Sequence, residues 1–175
     1  MATTGDAPDD PSSAGDYDYQ SDDVDRPGMV DDLDGLIDGD VRFDDYSRQL
    51  YATDASAYEM TPVGVVVPTS TADVVAVVEY CAEREIPVLP RGGGTSLAGQ
   101  TVNEAVVLDF SREMTDVLEM DPEARRARAQ PGVKLGDLNA DLAPHGLKFA
   151  PDPAWGDKSV LGGAIGNNST GSHSL

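Results

Sequence analysis

The sequence predicts a mixed α and β fold, on three observations. Valine-rich runs at 65–67 and 105–109 have the length and β-branched composition of buried strands. Apolar residues recur at helical spacing over 74–81 and 135–147. Glycine and proline punctuate the joins between them.

Taken in chain order, the first 40 residues hold 13 of the chain's 24 Asp and almost nothing apolar before Met29. Such a segment buries too little surface to offset ordering entropy, so residues 1–40 read as an acidic, largely disordered extension, with at least 1–27 disordered. Val30, Leu33, Leu36 and Ile37 have the spacing of one short helix leading into a domain over 41–175. Val65 to Val67, closed by Pro68, is the first buried strand. Ser70-Thr71-Ala72-Asp73 resembles a capping box, and Val74, Val75, Val77, Val78 and Cys81 give the helix behind it an apolar face that runs out near Glu85. Pro87 to Pro90 is a second strand, and this β-α-β unit is expected to pair its two strands in parallel. Ala105 to Asp109 is a third strand, and 117–120 and 126–130 are a fourth and fifth joined by the turn Asp121-Pro122-Glu123. Leu135, Leu138, Leu142 and Leu147 mark a second helix, closed by His145-Gly146, where glycine can adopt the left-handed cap.

The net charge is −20, with 32 acidic against 12 basic residues. Polyanions are bound through clustered Lys and Arg, and the only basic run is Arg125, Arg126 and Arg128, so a nucleic-acid partner is excluded. Abundant Asp with scarce Lys fits a cytosol of molar salt, where self-repulsion is screened; an acidic tail on an ordinary acidic protein is the other reading. Cys81 is the only cysteine, which excludes an internal disulfide and leaves no metal site to assign; it reads as core filler. No signal-peptide pattern and no run of membrane-span length occurs, and the chain reads as soluble and cytoplasmic.

The segment PVLPRGGGTSLAGQT carries most chemical information. Three glycines directly after a strand reach backbone conformations closed to other residues, and their N–H groups can meet an anion unobstructed by Cβ atoms. Thr95 and Ser96 add hydroxyls, whereas a flexible turn that binds nothing is the plain alternative. A dinucleotide fingerprint of the GxGxxG kind fails because Leu97 holds its sixth place. A triphosphatase loop fails because Gln100 stands where its lysine belongs and a strand follows instead of a helix.

Pro90 to Gln100 closely resembles the pyrophosphate loop of the FAD-linked oxidases of the vanillyl-alcohol oxidase and p-cresol methylhydroxylase type. Tyr51 to Val74, Gln130-Pro131-Gly132-Val133, Pro151-Asp152-Pro153 and SVLGGAIGNNSTGSHS (159–174) resemble further motifs of that family in the same order. The resemblance covers roughly Phe43 to Leu175. It implies an α+β fold, the N-terminal part of a two-subdomain FAD-binding domain with the cofactor between two small sheets, ending before the second sheet is complete. It is most similar to the group oxidising D-2-hydroxy acids: glycolate oxidase flavin subunits, D-lactate dehydrogenases and D-2-hydroxyglutarate dehydrogenases, including forms fused to an iron–sulfur module.

The resemblance implies a cofactor-binding set of Arg91, Gly92, Gly93, Gly94, Thr95 and Ser96 around the pyrophosphate, with Pro151, Asp152, Pro153, Ser159, Gly162, Gly163, Asn167 and Gly171 along the flavin end. A side chain at Gly93 would then occupy the pyrophosphate's space, and a helix starting near Leu161 would aim its positive end at the cofactor. Arg91 either pairs with phosphate or buttresses the loop through carbonyl hydrogen bonds. Thr95 stands where covalently flavinylated relatives carry histidine, so FAD is expected to be held non-covalently. His173 is either a catalytic base or a structural histidine. The expected partners are FAD and a small 2-hydroxy acid, with electrons leaving to an acceptor; an iron–sulfur cluster would belong to a part beyond Leu175. The full-length enzyme would be cytoplasmic or peripheral at the inner membrane face. The competing reading is a non-catalytic FAD-binding module, or an inactive truncated product.

Overall fold

The computed structural model describes residues 24–171 and Ser174. Helix α1 (Arg26–Asp34) leads into strand β1 (Asp40–Arg42) and helix α2 (Asp45–Leu50). Strand β2 (Gly64–Val67), helix α3 (Thr71–Glu83), strand β3 (Val88–Arg91) and strand β4 (Val106–Asp109) follow. A hairpin of β5 (Val117–Asp121) and β6 (Arg126–Ala129) then leads to helix α4 (Leu135–Leu142), a 3-10 turn at Ala143–His145 and helix α5 (Leu161–Gly166). No described helix is long and apolar enough to cross a membrane.

The four-stranded sheet has the order β1-β2-β4-β3, with β1 antiparallel and the other pairings parallel. The two strands of the β-α-β unit therefore do not pair with each other, because β4 inserts between them. The chemistry of the strands explains the order. β2 and β4 are buried along their whole length, as central strands must be, whereas β3 carries Pro90. In β3 the carbonyls of Pro87 and Arg91 accept from β4, so the alternating backbone groups at Pro90 point outward, where a missing N–H costs nothing.

Strand alternation sorts the core into two faces. Val66, Val106 and Leu108 pack with Val77, Tyr80 and Cys81 of α3 and with Met29 and Leu33 of α1. Val65 and Val107 face the other way, against Tyr51. The boundary drawn at residue 40 thus falls inside β1, and α1 is part of the core, since Met29 and Leu33 are buried. Residues 1–23, which carry most of the expected extension, lie outside the described residues.

Local signals hold where they were read. Ser70 caps α3, its hydroxyl accepting from the Asp73 N–H at 3.1 Å, while the Asp73 carboxylate accepts from Thr69 and Ser70. Gly146 closes the 3-10 turn at φ 67°. The second unit packs Val133, Leu138 and Leu142 against the β5–β6 hairpin, Phe149 and Leu161. Two small sheets with separate cores give the expected α+β architecture. They meet at Gly132, where a Cβ would lie 1.8 Å from the Phe110 carbonyl oxygen.

Tyr80 clamps α3 to α1, donating to Asp32 at 2.7 Å beneath the Arg84 guanidinium. Burial, reinforced by that bond, pushes its phenol from 10.0 up to about 12, and burial pushes the Cys81 thiol from 9.0 up to about 11. Both groups are easier to ionise unfolded than folded. Their stabilisation is therefore complete below pH 9 and is lost as pH rises through about 12. Thermal melts are expected to stay level up to pH 9 and fall above it, and Tyr80→Phe is expected to flatten the upper part of that fall. An unchanged slope in the variant would assign the loss elsewhere.

Candidate functional site

The glycine loop leaves the sheet at the carboxyl end of β3, where parallel strands leave a crevice. Arg91 ends the strand, its carbonyl accepting from the Phe110 N–H at 3.0 Å. Gly94 then takes φ +62°, and its carbonyl accepts from the Ala55 N–H at 3.0 Å. Among the described residues, no protein acceptor takes the backbone N–H of Gly93, Gly94, Thr95 or Ser96. Four consecutive free donors beside a cavity form an anion site of the kind successive backbone amides make.

The cavity, about 460 Å³, lies between this loop and residues 153–170. Gly92, Gly93, Gly94, Thr95 and Ser96 line one wall, and Pro153, Trp155, Ser159, Gly163 and Asn167 line the other. The walls touch. Thr95 Oγ1 lies 3.3 Å from Ser159 Oγ, and a Cβ on Gly92 would come within 2.2 Å of Val160. A Cβ on Gly93 would come within 2.0 Å of the Lys158 carbonyl oxygen. The space beside Gly93 is therefore filled by protein backbone, not by a ligand as the sequence reading expected. These glycines let the two walls close, and the N–H edge of the loop is what remains for a ligand. A second cavity of about 380 Å³ shares Gly92, Gln100, Thr101, Val160, Gly163 and Asn167 with the first, so together they form one groove along the seam.

Arg91 settles into one of its two expected roles. Its guanidinium donates to the carbonyls of Thr101 (2.8 Å), Thr53 (2.7 Å) and Tyr51 (3.3 Å), and its NH2 nitrogen lies 2.8 Å from where a Gly94 Cβ would stand. It buttresses the loop from beneath. Burial lowers its pKa, and the charges of Asp54 and Asp109 oppose that shift. Tyr51 lies below it, the guanidinium 5.2 Å from the ring centroid. The Tyr51 hydroxyl donates to buried Asp109 at 2.5 Å, and Asp109 also accepts from Ser111 and pairs with Arg112 at 3.4 Å. Burial, then the Asp109 bond and charge, raise the Tyr51 pKa, so the phenol stays a neutral donor. On the loop's other flank Thr101 donates to Asp54 at 2.9 Å. Sequence reasoning missed this Tyr51–Asp109–Asp54–Thr101 support. Its one available signal was Asp109, a carboxylate closing an otherwise apolar strand.

The second stretch divides. Pro153, Ser159, Gly163 and Asn167 line the cavity. Asp152 instead accepts from Lys148 at 2.8 Å, and a Cβ on Gly171 would lie 1.9 Å from the Asp152 carbonyl oxygen, so these two hold the segment together. Pro151 joins them, outside the residues lining either cavity. Gly162 packs on Pro131, at 2.8 Å from its would-be Cβ to the proline Cβ. The start of α5 is only partly engaged: Leu161 N–H donates to the Val133 carbonyl and Gly162 N–H to the Pro131 carbonyl, each at 2.8 Å, whereas among the described residues no protein acceptor takes the N–H of Gly163, which lines both cavities. The strand-to-helix turn takes two of the donors at this end and leaves Gly163 to carry what remains of the expected contact. His173 lies outside the described residues, and His145 is solvent-exposed. Among the described residues, no group of three or more His, Cys, Asp or Glu could hold a metal ion.

The donors fit a dinucleotide pyrophosphate. Residues whose N–H groups have no protein acceptor line the cavity, a second cavity adjoins it along the glycine seam, and an exposed indole stands in its wall.

Residues 62–175 match the family described as the FAD binding domain. The D-2-hydroxyglutarate dehydrogenase of Haemophilus influenzae is 37% identical over 154 residues, 84% of this chain and 15% of that protein. The glycolate oxidase subunit GlcD of Bacillus subtilis is 34% identical over 143 residues, 79% of this chain and 30% of that protein. The chain thus spans about a sixth to a third of the length of these relatives. Among solved structures, p-cresol methylhydroxylase with substrate bound superposes with a TM-score of 0.64 at 22% identity, over 81% of this chain and 28% of that one, a likeness of fold. Matched over most of its length, and with a loop of free backbone donors where the expected pyrophosphate would sit, the chain belongs to the FAD binding domain family.

Proposed function

We propose that this chain is the pyrophosphate-holding part of a flavin-dependent oxidoreductase that acts on the CH–OH group of a small D-2-hydroxy acid of the lactate, glycolate or 2-hydroxyglutarate class. The observation that carries the cofactor half of this reading is the run of unengaged N–H groups from Gly93 to Ser96 beside a cavity that a protein acceptor does not fill. The substrate half rests on the relatives, which are named for D-2-hydroxyglutarate dehydrogenase and glycolate oxidase activities.

In this reading FAD supplies the hydride acceptor, and the residues of this chain hold and orient it. The N–H groups of Gly93, Gly94, Thr95 and Ser96 bind the pyrophosphate oxygens, while Gly92, Ser159, Gly163, Asn167 and Pro153 shape the walls. Gly162 lines the adjoining cavity, and Arg91, Asp152 and Gly171 act through packing and through hydrogen bonds to the segments that bind. The setting in this reading is cytoplasmic, or peripheral at the inner membrane face for the full-length enzyme. Electrons pass on to an acceptor or an iron–sulfur partner.

Thr95 offers no group able to form a flavin bond, so the attachment is non-covalent. Acid precipitation of the flavin-loaded protein is expected to leave FAD in the supernatant. Flavin retained in the pellet would contradict non-covalent attachment, and a protein that takes up no flavin at any salt concentration would contradict the reading itself. A dye-linked assay of the whole enzyme with D-lactate, glycolate and D-2-hydroxyglutarate tests the substrate class, and turnover of none of the three would overturn it.

A further inference from the structure

Trp155 is the chain's only tryptophan, and it is 54% exposed in the wall of the cavity that faces the glycine loop. The turn that carries Trp155 is anchored through its backbone carbonyl, which accepts from Lys158 N–H at 2.9 Å and from Ser159 N–H at 2.7 Å. The same turn is fixed to the loop: the Lys158 carbonyl seats against Gly93, and Ser159 meets Thr95. The backbone that carries the indole is thus held at a set position in the cavity wall facing the glycine loop. Lys158 Nζ lies over the ring, 5.1 Å from its centroid, and Lys158 is not among the residues that line the cavity.

We propose that Trp155 is the platform on which a planar ring of the bound dinucleotide stacks, with the Lys158 ammonium on one face of the indole and the ligand ring on the other. This deepens the proposed function and rests on its cofactor half. An indole is the largest apolar and π surface a side chain can offer, and leaving half of it in water beside an anion site is resolved when an aromatic ring covers it. Stacking is tolerant of ring identity, so adenine and isoalloxazine share the required chemistry. A cation on the far face leaves the aromatic stack on the near one undisturbed.

One tryptophan gives one indole N–H cross-peak in a nitrogen–proton correlation spectrum, which makes the test direct. FAD, ADP and FMN are titrated separately into the uniformly nitrogen-15-labelled chain in molar salt. FAD is expected to move the indole peak together with the amides of Gly93 to Ser96, and whichever of ADP or FMN reproduces the indole shift identifies the stacked ring. If FAD moves the loop amides and leaves the indole peak in place, the platform is wrong and the cofactor reading stands. If FAD moves neither, the cofactor reading fails and the platform falls with it. Trp155→Leu keeps the anchoring carbonyl, so the fold is expected to persist while FAD affinity drops by about tenfold or more. Trp155→Phe is expected to retain affinity within about threefold. Affinity in Trp155→Leu equal to that of the parent would overturn the proposal.

Discussion

Gly93→Ala is expected to lower FAD affinity by about a hundredfold or more while leaving the four-stranded sheet folded. The added methyl would stand 2.0 Å from the Lys158 carbonyl oxygen, a backbone atom that cannot swing aside as a side-chain tip can. Relief requires the loop and the 158–160 segment to part by about 1 Å, more than a hydrogen bond of about 2.9 Å tolerates without weakening. Two lost bonds to a charged pyrophosphate at about 1.5 kcal/mol each already amount to about two orders of magnitude. Gly156→Ala is the control, because a Cβ there meets nothing within 4 Å although it sits in the same turn as Trp155. Equilibrium dialysis of FAD against both variants checks the pair, and equal affinities would remove the wall-to-wall contact from the account.

Arg91→Met is expected to destabilise the fold by about 3 kcal/mol or more, a large share of the 5–15 kcal/mol typical of a domain. The substitution keeps much of the side-chain volume but strands the carbonyls of Tyr51, Thr53 and Thr101, and it removes a positive charge that attracts Asp54 and Asp109. Arg91→Lys is expected to recover only part of the loss, since one ammonium cannot reproduce a planar fork that spans three carbonyls. Urea denaturation at fixed salt measures both variants. A change below about 1 kcal/mol in Arg91→Met would show that the guanidinium is dispensable to the scaffold.

The parts of this fold that the sequence announces are those whose stability is local or whose burial is complete. Val65 to Val67 and Val106 to Leu108 read as strands because both of their faces are buried, and the Ser70 cap and Gly146 need only neighbouring residues. β1 and α2 were invisible because Asp40-Val41-Arg42 and Asp45–Leu50 carry no apolar period; β1 exists because the edge of β2 is there to pair with. The insertion of β4 between β2 and β3 is likewise a long-range fact, for which Pro90 at an edge was the only hint.

The site divides in the same way. The glycines of the loop were legible because their residue type limits what they can do, but what Gly92 and Gly93 touch lies in a segment some 65 residues away. The helix that was expected to offer its positive end to the cofactor gives two of its donors, Leu161 and Gly162, to carbonyls of the 131–133 turn, a partner that spacing along the chain does not reveal. Arg91 remained open between two roles because both need the same residue, and only the positions of three carbonyls decide between them.

The central claim is that the backbone of Gly93 to Ser96 is the contact that holds FAD, and amide hydrogen exchange with and without the cofactor tests it most directly. In molar salt, FAD is expected to slow exchange in a peptide covering 92–96 and in one covering 159–167, and to leave α3 and the β5–β6 hairpin unchanged. Slowed exchange confined to other segments, or exchange at 92–96 that does not respond to saturating FAD, would contradict it.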